Sequence, residues 1–543
     1  MEITPATLRF SSTGSSWIQP HPPLQPQILP CSAIENLCAR VNPTPALFFP
    51  LSSNQSPLKL YRRLSRGLSK LLHQQPRLAG VLRQDARGAF DIEVPLAPKA
   101  GAEFHYADLS EDYTFPSFLE LQNARFPFAD GELDGLAKLR PADFPAHGDG
   151  DPLFLAQLTH VRGGLVLTGS LSHLLGDLVV LRAFILSWAT SATREAIIAA
   201  EEGKAERDVL APFVDELTNR TRLKPKTDGP ATIQELTQLS KAIPKYILVN
   251  SEDAVSLADM SSIVPEAYIP SSLSSREDEL RTSISGVWRF PLASLKALQT
   301  TVQATLPQEA KVSTMDVLTA YLWERFFLAK YHSPYPNKSS SFPARSEIIF
   351  AGDVRRRLNP PLPQNYLGAC VDLFRCSATY IDLISPSMTL TERPERSNDM
   401  SILGNLALAI RAANADWSEE SYEMLLTLSQ QTPFSPGFLP RGPIDLPITD
   451  HSRIGDMLQA DWGPGLGVPV GYREPYVGRQ PPAGEMTVLP RCANGDIEIM
   501  ISGEKIVLDR LVQDGDLNGR SGRMFVLHDV VKETDRRDRK AKI

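Results

Sequence analysis

Nine histidines are spread along the 543 residues, and one of them stands where a proton could be moved. In residues 167–184, LTGSLSHLLGDLVVLRAF, His173 and Asp177 lie four positions apart, between an apolar run and a second apolar segment. Imidazole is the usual proton acceptor near neutral pH, because its unperturbed pKa is about 6.5. Gly176 beside it would let a ligand or another backbone come close. The spacing alone says little, since His147 and Asp151 repeat it inside LRPADFPAHGDGDP. That stretch is loop-like by its Pro, Gly and Asp content. A base needs its nitrogen held near the proton it removes, so His147 reads as a surface residue. On residue types and spacing, His173 is either a general base or a structural histidine, and both readings stand at this point.

The other usual catalytic sets are missing. No GxSxG elbow, GxxxxGK[ST] loop or HExxH pair occurs. The five cysteines, Cys31, Cys38, Cys370, Cys376 and Cys492, include no CxxC, so no zinc site, metal centre or disulfide framework is expected. A base without a protein nucleophile suits a reaction in which a bound substrate supplies the nucleophile. The net charge of −7 gives no support for a nucleic-acid partner. The N-terminal MEITPATLRFSS lacks an apolar core, and the run 178–189 is broken by Arg182, so neither a signal peptide nor a membrane anchor is expected. A cytoplasmic protein with reduced cysteines follows, and a monomer is expected.

The elements around His173 follow from periodicity. Residues 153–159 and 165–171 read as strands joined at Arg162-Gly163-Gly164. Residues 178–189 are apolar on nearly every face and predict a buried helix. His173 would then sit at a strand end, on rigid supports. Upstream, Leu60, Tyr61, Leu64, Leu68, Leu71 and Leu72 form the apolar stripe of a helix over 58–72. Arg62, Arg63, Arg66 and Lys70 read as its solvated face. Pro76 ends it, and Leu78–Leu82 leads into a strand.

A polar, Ser-rich tract over 206–285 reads as a crossover between an N-terminal domain, 1–205, and a C-terminal domain, 286–531. A charged tail, 532–543, follows. Within the second domain, 287–290 starts a strand, and Ser313 to Asp316 starts a helix that runs to about Lys330. Residues 377–402 read as irregular, with helices over 403–413 and 419–428. Asn494-Gly495 reads as a hairpin turn with both residues at positive φ. Composition and pattern together predict two sheet-containing α/β or α+β domains.

Five motifs, in order, carry a resemblance to the BAHD acyltransferases, in particular their fungal, trichothecene acetyltransferase-like branch. His173-Leu-Leu-Gly-Asp177 matches that family's HxxxD, and Asp461-Trp-Gly463-Pro-Gly465 is similar to its DFGWG. Residues 353–363, DVRRRLNPPLP, with Tyr366-Leu367-Gly368, resemble DxRxRLxPPLPxxYxG. Residues 311–323 and Pro76–Gly80 resemble two further landmarks. There are departures: Leu178 stands where glycine is usual, Trp462 and Pro464 replace Phe and Trp, and Ala369 replaces Asn.

The resemblance implies an α/β fold of two similar mixed-sheet domains of the chloramphenicol acetyltransferase-like type, with a channel between them. It implies no tightly bound cofactor, acyl-CoA (acetyl-CoA above all) as co-substrate, and a small-molecule acceptor, with no membrane or nucleic-acid partner. His173 would be the general base. Asp177 would pair with Arg355 to hold the turn. Asp461, grouped with them at the active site, and Gly463 would shape the channel from the other domain. Lys311, Ser313 and Arg357 match positions near the cofactor. A condensation- or carnitine-type acyltransferase of the same superfamily is an alternative, but Ser172 stands where condensation domains carry a second histidine. A non-catalytic binding homologue is the other alternative. The segment 377–447 would cover the acceptor end.

Overall fold

The computed structural model describes residues 13–38, 42–85, 89–127, 150–200, 223, 246–248, 283–331, 345–363, 366–383, 400–431, 438–440, 444–474 and 484–526. His147, most of the expected crossover and the charged tail lie outside them.

Two large mixed sheets organise the chain. The first has strand order Thr13–Ile18, Ala102–Asp108, Phe154–Val161, Gly164–Leu171, Ala46–Pro50, Gly471–Arg473. Its one parallel pair is Ala102–Asp108 with Phe154–Val161. The second has seven strands, from Val371–Thr379 at one edge to Gly522–Val526 at the other. In it, Leu446–Asp450 runs parallel to both of its neighbours.

Two long helices cover the first sheet. Pro57–Gln74 begins at Ser56, which caps it, and has Pro57 at N1, where a missing N–H costs nothing. Leu178–Ala200 extends eleven residues beyond the expected end at 189. The Trp188 indole donates to the Leu64 carbonyl at 3.0 Å and locks the two helices together. The basic stripe of the first helix is solvated only in part: Arg62 and Arg66 are exposed, whereas Arg63 is buried. Arg66 and Lys70 both pair with Glu195 of the second helix, at 2.8 and 2.9 Å. Arg63 is buried and donates to the Trp462 and Pro464 carbonyls. The partners of Arg63, Arg66 and Lys70 lie far away in sequence, so no local pattern shows them.

The second sheet carries its own core around Trp288, Trp323 and Phe326, roofed by Leu292–Gln303, Thr314–Tyr331 and Met400–Ala415. The expected start at Ser313 and the end near Lys330 agree with these bounds. Residues 377–402 are less irregular than expected: the strand runs to Thr379 and a helical turn, Tyr380–Leu383, follows. The Asn494-Gly495 turn also differs. It is a three-residue loop closed by the Cys492 N–H on the Asp496 carbonyl, and only Gly495 has positive φ, +85°.

The halves are interleaved. Gly471–Arg473 joins the first sheet, and Ile454, Met457, Trp462, Leu466 and Tyr472 belong to the N-terminal core. Part of the 286–531 span therefore packs with the first domain. In return, Ala33 and Ile34 pack with Val354, Tyr366, Cys370 and Tyr422 in a third cluster between the halves. Leu223, inside the expected crossover, is buried in that cluster too.

Candidate active site

His173 opens a single 3-10 turn, His173–Leu175, directly after the strand Gly164–Leu171. The Ser172 N–H donates to Leu153 O at 2.9 Å, and the Ser172 hydroxyl accepts from Leu174 N. Gly176 then has φ +156° and ψ −173°, and a Cβ there would lie 2.3 Å from Val180 Cγ2. Only glycine lets the chain turn this tightly into the helix. The imidazole is half-buried, and its Nδ1 is shielded without a hydrogen-bond partner. Burial pushes its pKa below the ordinary histidine value, and the nearby His451 adds to this. Its own backbone carbonyl and Asp177 oppose it without prevailing. The ring is thus neutral at neutral pH, as a proton acceptor must be.

Asp177 is engaged by the other half of the chain. Both its oxygens meet Arg355, at 2.8 and 2.9 Å, and they also accept from Cys370 N at 3.0 Å and Val179 N at 3.1 Å. The last bond caps the Leu178–Ala200 helix. Arg355 is buried as well, and donates further to Asp353 at 3.0 Å and to the Gly368 carbonyl. The turn carrying His173 is thereby clamped by a guanidinium from the other half of the chain. Leu178 is the first residue of that helix and packs against the N-terminal core, so nothing at this position requires glycine.

A second buried arginine does parallel work. Arg77 donates to Leu175 O at 3.0 Å, just beyond His173, and to the Glu35 carboxylate at 2.9 Å. Glu35 in turn completes a capping box with Ser32. Neither residue was assigned a role from sequence, although Ser32-x-x-Glu35 has the spacing of such a box and Arg77 lies in the Pro76–Gly80 landmark.

Asp461 is placed elsewhere. It is exposed, its carboxylate accepts from Gly463 N at 2.9 Å, and its carbonyl accepts from Thr193 Oγ1 at 2.8 Å. Thr193 lies fifteen residues along the helix from Leu178, about 22 Å by helical rise. The structure thus does not bring Asp461 to His173; its carboxylate shapes a turn. Gly463 has φ +82°, and a Cβ there would sit 3.1 Å from Thr193 Cα. Trp462 is fully buried, edge-on to Trp188 at 5.7 Å and to Phe49 at 5.9 Å. The motif is a plug in the N-terminal core, reaching it from downstream in the sequence.

Lys311, Ser313 and Arg357 converge on one helix end. Ser313 caps Thr314–Tyr331, exchanging hydrogen bonds with Asp316 at 3.1 and 2.7 Å. Asp316 also holds Arg411 at 2.7 Å. Three residues beyond Arg411 on the helix Met400–Ala415, Asn414 accepts from Arg357 through its side chain at 2.6 Å. Lys311, just before the cap, is exposed. Arg453 lies close enough to Arg357 to lower its pKa, although burial does more of this. Asp372 and Asp353 act on Arg357 in the opposite sense, so positive and negative groups are mixed here.

The cysteine bound to the Asp177 clamp is not set up as a nucleophile. Cys370, whose N–H binds Asp177, is buried, and that burial pushes its thiol up to about 12. Among the described residues, no cluster of His, Cys, Asp and Glu could hold a metal ion, and no helix is long and apolar enough to cross a membrane.

A family model described as the Transferase family matches residues 9–517. The chain belongs to the BAHD acyltransferase family. It is similar to "Acyltransferase clz6" of Cochliobolus lunatus, 25% identical over 92% of this chain and 95% of that one. It is also similar to the trichothecene 3-O-acetyltransferase of Saccharomyces cerevisiae, 24% identical over 76% of this chain and 78% of that one. Among solved structures, TRI101 of F. sporotrichioides, complexed with coenzyme A and T-2, superposes with a TM-score of 0.66 at 18% identity, covering 92% of this chain and all of that one (100%). Vinorine synthase gives 0.57 at 17%, covering 93% of this chain and 97% of that one. The two-domain α/β fold of BAHD acyltransferases is thus the fold of this chain.

Proposed function

We propose that this BAHD acyltransferase moves an acyl group, acetyl above all, from acyl-CoA to a hydroxyl or amine of a small molecule, and that His173 is its general base. The acceptor class proposed is a fungal secondary metabolite. The observation that carries the reading is the placement of His173: half-buried, with burial favouring the neutral ring, and fixed at a strand end by a turn that both halves clamp. The coenzyme A and T-2 named with the TRI101 structure, and the acetyltransferase and acyltransferase relatives, support the donor and the class of acceptor.

His173 takes the proton from the acceptor O–H or N–H as that atom attacks the thioester carbonyl. A tetrahedral intermediate forms, the C–S bond breaks, and the proton passes to the departing sulfur, so coenzyme A leaves as the thiol. No acyl-enzyme is needed, in keeping with the inert thiol of Cys370. General-base catalysis contributes roughly 10²–10⁴-fold, and holding donor and acceptor together supplies much of the remainder. Arg355 with Asp177 holds the base in place. Gly463 and Asp461 hold the plug that braces its helix. Lys311 and Arg357 offer positive charge to the phosphates of the donor, and Ser313 orders the cap beside them.

Thiol release from acetyl-CoA, followed with a panel of alcohols and amines, tests the reading. Wild-type protein releases thiol with at least one acceptor, and acetylated product appears in the mass spectrum. Undiminished turnover by His173→Ala would refute the base assignment.

A further inference from the structure

The turn that carries His173 is too short to hold its own shape. It is closed by Leu175 N on Ser172 O at 2.9 Å and by Gly176 N on His173 O at 3.2 Å. A single helical turn fixes several dihedrals for few bonds and is unfavourable alone. A helix end also leaves its last carbonyls without partners inside the turn, and Leu175 O is such a group.

Arg77 takes that carbonyl. One nitrogen, Nη1, lies 3.0 Å from Leu175 O, 2.9 Å from Glu35 Oε1 and 3.4 Å from Leu367 O. Nη2 lies 3.7 Å from Cys31 Sγ. Arg77 and Glu35 are both buried. Three stretches far apart in sequence thus meet at one cationic donor: the capped helix Ala33–Leu37, the His173 turn, and the Leu367 stretch of the other half. Arg355 repeats the pattern one residue on. It binds Asp177, two positions beyond Leu175, and the carbonyl of Gly368, next to Leu367. The two arginines therefore hold both ends of Leu175–Asp177 to consecutive carbonyls of one stretch.

Glu35 is itself fixed. Its other oxygen accepts from Ser32 N at 2.6 Å, and its own N–H donates to the Ser32 hydroxyl at 3.2 Å. Ala33 and Ile34 pack between the halves. Their helix lies against both the His173 turn and the helix Glu419–Gln431.

We propose that Arg77 and Glu35 are positioning residues for the base: Glu35 aims the guanidinium, and the guanidinium sets where the His173 turn stands against the other half of the chain. The proposal rests on the reading of His173 as base given above. Neither residue touches reacting atoms. The base must sit within hydrogen-bond reach of the proton it removes, and a displacement of about 1 Å costs on the order of 10²-fold in rate.

Arg77→Met, Arg77→Lys and Glu35→Gln test this, with Arg63→Met as the matched control. Arg63 is also a buried arginine of the first half that donates to backbone carbonyls. The readouts are the folded fraction in urea, kcat and KM for acetyl-CoA with an accepted alcohol, and the His173 ring signals in histidine-selective ¹³C NMR, assigned through His173→Gln. In Arg77→Met, kcat per folded molecule falls about 10–100-fold, while KM for acetyl-CoA stays within about twofold. Arg77→Lys regains part of the loss, because one ammonium can serve both Glu35 and Leu175 O. Glu35→Gln keeps the shape but not the charge, and lowers kcat in the same sense. The double variant of Arg77→Met with Glu35→Gln loses no more than Arg77→Met alone, since the two residues act as one unit. The His173 signals move in Arg77→Met and stay in place in Arg63→Met. If Arg77→Met fails to fold, Glu35→Gln carries the same comparison. Wild-type kcat per folded molecule, a loss confined to KM, or an equal fall in Arg63→Met overturns the proposal. Full turnover by His173→Gln would remove the base reading alone, because the ring signals would still show whether Arg77 sets the turn.

Discussion

Asp177→Asn isolates the clamp on the catalytic turn. The native carboxylate accepts two bonds from Arg355 and one each from Cys370 N and Val179 N. An asparagine offers one acceptor oxygen, and its amide N–H groups must face either the guanidinium or a backbone N–H. At best half of the bonds survive, and the charge is gone. Arg355, only 2% exposed, would be left with Asp353, which is near the surface, and the Gly368 carbonyl. Breaking a buried pair from one side costs about 3–5 kcal/mol, largely the penalty of the stranded charge. The helix cap, which Asn can still form, limits further loss. A cost of about 3 kcal/mol is large against the roughly 5–15 kcal/mol that holds a typical domain folded. With a urea slope of about 3 kcal/mol/M it lowers the unfolding midpoint by about 1 M. Arg355→Met alone should cost a similar amount, and the double variant should recover part of it, with a coupling of about 1.5 kcal/mol or more. Turnover per folded molecule should fall less than in His173→Gln. A variant Asp177→Asn with the wild-type urea midpoint but no turnover would refute the clamp and put Asp177 in the proton transfer.

His173→Gln should lower turnover about 10²–10⁴-fold with little change in thermal midpoint, because Nδ1 makes no hydrogen bond to lose; kinetics paired with calorimetry check this. The acid limb of kcat/KM should fall below the ordinary histidine pKa of about 6.5. The sign carries over to stability: with its folded pKa depressed, His173 contributes stability that is complete above about 6.5 and is lost as pH falls through the folded value. Urea midpoints of wild type and His173→Gln across this range check the difference. Lys311→Glu should raise KM for acetyl-CoA about tenfold, as loss and reversal of one charge worth about 1.4 kcal/mol would, with kcat nearly unchanged. Arg63→Met strands the Trp462 and Pro464 carbonyls, so it should cost about 3 kcal/mol in urea while sparing activity per folded molecule.

The elements closest to His173 were legible because their signals are local. Alternating and continuous apolar runs marked the two strands and the long helix, and Ser313 with Asp316 marked a helix start. The Asp177–Arg355 contact, spanning 178 positions, came only through the resemblance, since no local pattern joins distant residues. The errors have the same origin. Arg63 looked solvent-exposed because its partners lie about 400 positions downstream. A domain boundary drawn on composition missed the crossing strand Gly471–Arg473, which is three residues long and carries no signal of its own. Within 377–447 the two expected helices are present and packed, with Leu403, Leu406 and Ala407 in the second core and Tyr422, Leu425 and Leu426 between the halves.

The same geometry explains which motif positions can diverge. His173 is tied to the proposed proton transfer, and Gly176 to a turn that admits no Cβ. Trp462 is tied only to volume and ring packing, so exchanging one aromatic for another refills the same space against Trp188 and Phe49. Pro464 contributes its carbonyl to Arg63, which any residue could supply. Ala369 is wholly buried where the more usual Asn would bring polar groups that need partners. Leu178 adds apolar contact at a helix start that never needed glycine. Three of the four departures thus fall on packing positions and the fourth on a backbone contact, and His173 with the ion pair that fixes its turn is left unchanged. Divergence of this kind alters the walls around a site sooner than its chemistry.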